Sequence, residues 1–555
     1  MPFRGWGTLY FVSKRMLRSL RAAAVGFVAP LLVACGSGGS NFETFDASFA
    51  DGTTRHDGSS GPDGVGKLHT PDASADVPPP CTGLQCQVKA CSGGVETTVT
   101  GTVYAPNGTL PLYNVQVFIP NAPLQPFTKG VQCDQCGAAL SGDPITTALS
   151  DATGQFTLKG VPSGTNIPIV VQLGKWRREA TIPSVPACTT TTLTDANLTR
   201  LPKTQAEGSM PHVALTTGGC DSLGCMLPKV GIDPSEFGYE ADAYTKAINT
   251  YTGAMSTFPA GTATPASNLW GNATTLDTYD MAIFSCECSE APTTKGSLGS
   301  AAFGIVTDYM DHGGRIFTTD YQYTWYRYSP DPALGVTGSA AKSCLCTSPG
   351  VCTSQCGSDF CAGSAPSAAC TTCIESEVGL GGACSAAVAQ TGIGDIIGGA
   401  PTGGEPITLA QTFPKGVALA TWLKTVFPSD TFAQMGQVEP DVVFSNIASL
   451  NAASTVTWAS SASPQGPRVF TVNTPVGSPT ASQCGKGVHI DAHVDQHDVG
   501  NEVTCSAAGS STCYPATCAT ALKPDEAMFA FFFFDLASCI QNDTQPPPPP
   551  PIMPK

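Results

Sequence analysis

The chain has 555 residues, room for two or three domains of about 100–200 residues each. Only 13% of them are charged, the net charge is −16, and Gly and Pro together number 105, a loop-rich composition of the exported kind. So acidic a surface repels phosphate backbones and excludes nucleic acid as an expected partner, while 24 cysteines point to disulfides formed outside the cytosol.

At the N-terminus, MLRSLRAAAVGFVAPLLVACGSGG begins at Met16. Arg18 and Arg21 form a positive start, and Ala22 to Val33 form an apolar run too short to span a bilayer. Residues 1–15 precede this better start. The run ends in Leu32-Val33-Ala34-Cys35, which resembles the lipobox of a bacterial lipoprotein. The resemblance implies a signal peptide over 1–34 and lipidation of Cys35, and hence a membrane partner through acyl chains. The plainer alternative is an ordinary secretory signal with a coincidental cysteine. Loss of the first 34 residues removes five of 27 basic residues and no acid, leaving 22 against 43, or −21. Residues 35–80 are rich in Gly, Ser, Asp and Pro and predict a disordered tether. Residues 541–555 carry a polyproline run and predict an extended tail.

Residues 81–201 change texture. ETTVTGTVYAPNG, YNVQVFIPNAP and the stretch from Pro144 to Val185 alternate β-branched and polar residues between Gly, Pro, Asn and Asp turns. That pattern predicts a small antiparallel β-sandwich. The residues D-x-x-G-x-F (Asp151, Gly154, Phe156) and the following GVPSG resemble the carboxypeptidase regulatory-like family, a transthyretin-like sandwich. The resemblance implies a non-catalytic module, related in fold to carbohydrate-binding domains. An insertion over 124–144 carries Cys133-x-x-Cys136, redox-active or zinc-binding in some settings but structural in the reading preferred for an exported loop.

Residues 205–540 alternate strands and helices: strands at PHVALTTGG, YDMAIFSCEC, GRIFTTDY, RVFTVNTPV and GVHIDAHV, helices at CDSLGCMLPKVGI, GSLGSAAFGIVTDYMDHGG, VALATWLKTVF and DEAMFAFFFFDLASCI. The expected fold class is therefore multidomain, the sandwich followed by a mostly parallel open α/β sheet. HVALTTGG, LDTYDMAIFSC and the helix with Gly313-Gly314-Arg315 are similar to the ThuA-like, class I glutamine-amidotransferase-like fold. That family's nucleophile needs a G-x-C-x-G elbow. Here Phe284 and Cys288 flank Cys286 instead, so the amidotransferase activity is not implied.

Residues 343–384 hold eight cysteines and predict a disulfide-rich insertion, with zinc as the alternative. Cys220 and Cys225 follow the first strand, and Cys286 and Cys288 the second; the two pairs are expected to crosslink at the rim. A free Cys286 would instead favour catalysis. Without Cys35 the cysteines number 23, so one is left over.

GVHIDAHVDQHD (487–498) is the richest polar stretch. As a strand it places His489, Asp491, His493 and Asp495 on one face. Residues four apart stand about 13 Å apart at a rise of about 3.3 Å, too far for one ion without a bend. Asp320, His493 and Asp495 are the candidate catalytic residues, with Glu287 as a further rim carboxylate, and His493 and Asp495 the candidate metal ligands. The competing reading is a polar strand end. Trp325, Tyr326 and Tyr328 are candidates for a sugar-stacking platform, weighed against plain packing.

The expected function is a cell-envelope lipoprotein of a Gram-negative outer membrane, periplasmic or surface-facing, acting as a non-catalytic binding or structural module for a carbohydrate or envelope protein, with no cofactor. The domain combination resembles myxobacterial-type lipoproteins. The alternative is a hydrolase with a metal or acid/base site at the rim of the α/β domain.

Overall fold

A computed structural model describes residues 81–549, except 257–262, 297–299, 336–343, 347–349, 357–366, 379–381, 385–389, 400, 494–517 and 519–520. Cys35, the tether and Asp495 lie outside the described residues. Pro78–Lys555 forms one compact unit.

Seven strands build the sandwich in two sheets. One orders Gln155–Lys159, Thr98–Thr102 and Thr190–Leu193; the other orders Thr146–Leu149, Gln116–Ile119, Gly164–Leu173 and Trp176–Val185. Phe156 and Leu158 point inward from the Gln155–Lys159 strand while Gln155, Thr157 and Lys159 are exposed, the alternation of a half-buried strand. The turn before it explains D-x-x-G-x-F. Asp151 Oδ1 accepts from the amides of Thr153 (2.8 Å) and Gln155 (3.0 Å), and Gly154 takes φ +78°, a left-handed value that favours glycine. Phe156 then enters the core beside Gly101, where a Cβ would come within 3.0 Å of its ring.

The second layer is a ten-stranded sheet. From one edge its order is Gln437–Val438, Ile407–Leu409, Thr455–Ala462, Gln465–Thr474, Gly485–Ile490, Arg315–Thr319, Met281–Phe284, Val213–Thr216, Ile248–Tyr251 and Phe237–Gly238. From Gly485–Ile490 to Phe237–Gly238 every pairing is parallel. From Gln437–Val438 to Gly485–Ile490 every pairing is antiparallel. The sheet is thus mixed rather than mostly parallel. The reason lies in its antiparallel half: Thr455–Ala462 and Gln465–Thr474 form a hairpin with a two-residue connection, which joins neighbours without a crossover.

The helix Pro524–Ala537 joins the two layers. Thirteen of its fourteen residues are buried, so it is enclosed all round rather than on one stripe. Phe529 meets Phe317 of the large sheet, Phe532 meets Trp458, and Phe533 and Phe534 meet Trp176 of the sandwich. Two disulfides fasten the same junction: Cys133–Cys484 and Cys136–Cys539. The C-x-x-C of the insertion therefore does not close on itself; each sulfur reaches across to the α/β layer. In the cysteine-rich insertion the disulfides include Cys344–Cys384, Cys352–Cys373 and Cys356–Cys370, and Cys346 is also bonded. This density of disulfides points to an extracellular or periplasmic protein. Among the described residues no helix is long and apolar enough to cross a membrane.

The compact α/β layer runs past residue 540. Asp543 is buried and binds Lys415 (2.6 Å) and Lys486 (2.7 Å), which both also pair with Asp535. These two cations and two anions pin the segment around Asp543 to the sheet.

Candidate functional site

The parallel strands all end on one rim, and there the chain gathers polar side chains that it buries. Asp221 follows Val213–Thr216, Cys286 and Glu287 follow Met281–Phe284, Asp320 follows Arg315–Thr319, and Asp491 and His493 follow Gly485–Ile490. Asn446 joins them from the loop after Val442–Phe444. In open α/β sheets such strand ends are where ligands bind.

Asp320 is the centre. Its Oδ2 accepts from the Cys286 thiol (3.1 Å) and from His493 Nε2 (2.9 Å), and its Oδ1 accepts from Asn446 Nδ2 (2.8 Å). Asn446 Nδ2 also donates to Asp491 Oδ1 (2.6 Å), and the Asn446 amide donates to Asp491 Oδ2 (3.0 Å), so one asparagine bridges two carboxylates. Asp221 accepts from the Cys286 amide (3.0 Å) and from the Thr319 hydroxyl. Asp320 has φ +39° at the point where its strand turns into the 3₁₀ segment Asp320–Tyr323. A left-handed non-glycine residue costs on the order of 1–3 kcal/mol, and such strain clusters at functional sites. It occupies a strand-to-helix turn, the kind of place where a reactive side chain is presented.

Electrostatics set the protonation states. Burial pushes the Cys286 thiol well up, and Asp320 and Asp221 push it further, so it stands as a neutral donor. Burial works against a charged His493, but the hydrogen bond to Asp320 and the carboxylates of Asp221, Asp320 and Asp491 outweigh it and hold the imidazole above its ordinary value. Burial raises Asp491 to about 7, with Asp320 adding to the rise. Among the described residues the rim thus holds more carboxylates than cations.

The Gly218-Gly219 pair lets the loops meet. A Cβ on Gly218 would lie 1.9 Å from the Cys286 carbonyl, and one on Gly219 would lie 3.0 Å from Cys288 Sγ.

Several sequence expectations change here. Cys220 is bonded to Cys288, but Cys225 goes to Cys518, and Cys286 is the free cysteine among the described residues. The pairwise crosslink of the two loops is therefore half of what was expected: Cys225 lies inside the Leu223–Lys229 helix, and Cys286 is turned inward to Asp320. Glu287 leaves the cluster; it is buried against Lys295 (3.1 Å) and the Ala254 amide (2.6 Å). His489 and His493 do not share one face, because the chain breaks at Asp491 and Ala492–His493 pairs with Val442–Val443 in another sheet. His489 is instead buried against Tyr326 and Phe470, where desolvation lowers it to about 3 and keeps it neutral. Trp325, Tyr326 and Tyr328 are buried and offer no face for a sugar. Trp325 packs among Trp270, Phe284 and Phe303, and Tyr328 donates to Glu290 (2.8 Å). Sequence reasoning missed Asp221 and Asn446. Asp221 directly follows the strand-end Gly-Gly-Cys, a readable cue, whereas nothing marks Asn446.

A separate cleft of about 300 Å³ lies between the four-stranded sandwich sheet and the 124–144 insertion. Gln116, Gln172 and Arg177 stand in register across its floor, and Phe127 stacks on Arg177 at 4.2 Å. Gln172 Oε1 and Arg177 Nη1 have no hydrogen-bond partner.

No family model and no curated protein matches the chain. Two solved structures do, both interface mutants of a type II cohesin–X-dockerin complex from Acetivibrio cellulolyticus. Each is 16% identical; one covers 25% of this chain and 85% of its own at a TM-score of 0.15, the other 26% and 78% at 0.13.

Proposed function

We propose that this protein is an envelope hydrolase, exported and held to the outer membrane of a Gram-negative bacterium through an acylated Cys35, with His493 and Asp320 as its acid/base pair. The observation that carries the reading is the convergence of Cys286, Asn446 and His493 on one carboxylate at a left-handed strand end. His493 is the least enclosed member of the trio and takes the proton of a water, then returns it to the leaving group. Asp320 fixes the ring and compensates its charge. The neutral Cys286 thiol and Asn446 hold Asp320 in place; neither acts as nucleophile. The six strands joined in parallel support a ThuA-like, class I glutamine-amidotransferase-like origin for this layer, and the seven-stranded sandwich with its Asp151–Gly154 turn supports a carboxypeptidase regulatory-like module beside it. The test is a panel of ester, glycoside and peptide substrates with the mature oxidised protein and its His493→Ala variant. Turnover that falls at least about 100-fold in the variant is expected. Turnover equal in both, or none in either, returns the protein to a binding role.

That second reading, a non-catalytic module for a carbohydrate or an envelope protein, is favoured by the cleft over Gln172 and Arg177. Planar amide and guanidinium groups beside an aromatic ring suit hydroxyl-rich ligands. Glycan-array binding lost on Arg177→Ala supports it; binding unchanged by that substitution places the ligand elsewhere.

A further inference from the structure

The acid/base reading gives the Cys286 thiol only a supporting role and leaves the disulfide beside it unexplained. Cys220 and Cys288 form a half-buried disulfide, and Cys286 beside them is a wholly buried free thiol. One ligand atom each from Cys220, Cys286 and His493 lie within 4.8 Å of one another. Two sulfurs and an imidazole at that separation are the donor set of a tetrahedral zinc-type ion. Asp320 Oδ2 holds both His493 Nε2 (2.9 Å) and the Cys286 thiol (3.1 Å), so one carboxylate keeps two of the three donors side by side. The loops that carry the sulfurs are fixed by backbone contact as well as by the disulfide, since Gly218 rests on the Cys286 carbonyl and the Cys220 amide donates to it (3.3 Å). Their approach therefore outlasts the S–S bond.

We propose that reduction of Cys220–Cys288 creates a metal site in which Cys220, Cys286 and His493 bind one zinc-type divalent ion. The disulfide takes two electrons and two protons from a dithiol reductant, which closes to its own disulfide. The ion then displaces one proton each from Cys220 and Cys286, and both pass to solvent. Water or Cys288 fills the fourth position. Metal and acid/base chemistry compete for His493, so the state of one disulfide selects between them; this last clause alone rests on the proposed hydrolase reading.

Replacing Cys288 by Ser should free Cys220 with no reductant, and mass mapping first verifies that Cys220 and Cys286 are both thiols. The mature Cys288→Ser protein, titrated with Co²⁺, is expected to bind one equivalent with sulfur-to-cobalt charge-transfer absorption. Adding Cys286→Ser or His493→Ala should abolish that absorption, and the oxidised wild type should lack it. A natively folded Cys288→Ser protein without the absorption, or one whose spectrum ignores both second substitutions, overturns the proposal. If Cys288→Ser does not fold, wild type treated with limiting dithiol until mass mapping finds only Cys220–Cys288 open gives the same two outcomes. Cobalt absorption does not depend on turnover, so a failed substrate panel and a failed metal site are distinguishable.

Discussion

Two buried charge clusters lie in the same α/β layer and are built on opposite terms. Lys415 and Lys486 face Asp535 and Asp543 two against two, each cation touching both anions. The carboxylates lift Lys415 above its ordinary value, and the lysines hold Asp543 far below its own. Among the described residues at the rim, Asp221, Asp320 and Asp491 share His493 and a distant Arg468, 4.0 Å from Asp491, with neutral Cys286 and Asn446 between them. Balanced charges need no proton to be stable. An unbalanced set must hold protons, and a group that holds a proton near neutrality can move one. The difference separates a structural clasp from a candidate site.

The comparison breaks first on activity. Asp320→Asn is expected to cost about 10²- to 10⁴-fold in turnover, while Lys415→Met alters stability and leaves per-molecule turnover of the folded protein intact. An assay normalised to folded protein checks both. Next comes stability in the clasp. Asp543→Asn leaves buried lysines undercompensated and should cost about 3–5 kcal/mol in denaturant unfolding at pH 7. Because Asp543 is depressed in the folded state, its contribution is present above the unfolded value of about 4 and fades as pH falls below it. Acid unfolding of the wild type should therefore begin below about pH 4, and the variant should be flatter there. At the rim the sign reverses. His493 is raised, so its contribution is full below about pH 6.5 and lost as pH rises through its folded value. A calorimetric scan from pH 6 to 9 should find the wild type weakening, with part of that slope gone in His493→Ala.

How far the sequence reaches depends on the range of the interaction. Local devices were legible: the Asp151–Gly154 turn needs only five residues, and the rim strands Val213–Thr216 and Met281–Phe284 stand as compact apolar runs. Asp320 and His493 were legible as strand-end polar residues, and the structure brings them within 2.9 Å. Asn446 was not, because its role arises from a loop 126 residues from Asp320. The aromatic run after Asp320 misled for a related reason: hydrophobicity and sugar stacking use the same rings, and only burial tells them apart. The antiparallel half was missed at Thr455–Ala462, whose alternation is interrupted by Ala459 and Ser460, where the register shifts. Cys286 could not be assigned from spacing, since pairing is a property of distance in the fold.

The most direct test of the contrast is the unfolding midpoint of Asp491→Asn as a function of pH. Asp491 is raised to about 7 in the folded state, so the cost of its charge is absent below about pH 4, grows as pH rises towards 7 and levels off above it. Asparagine keeps the shape and removes the charge. The variant should match the wild type near pH 4 and exceed it at pH 8, by on the order of a few kcal/mol. A variant weaker than the wild type at pH 8, as Asp543→Asn is expected to be, would mean that the rim is a balanced clasp and not a site held out of balance.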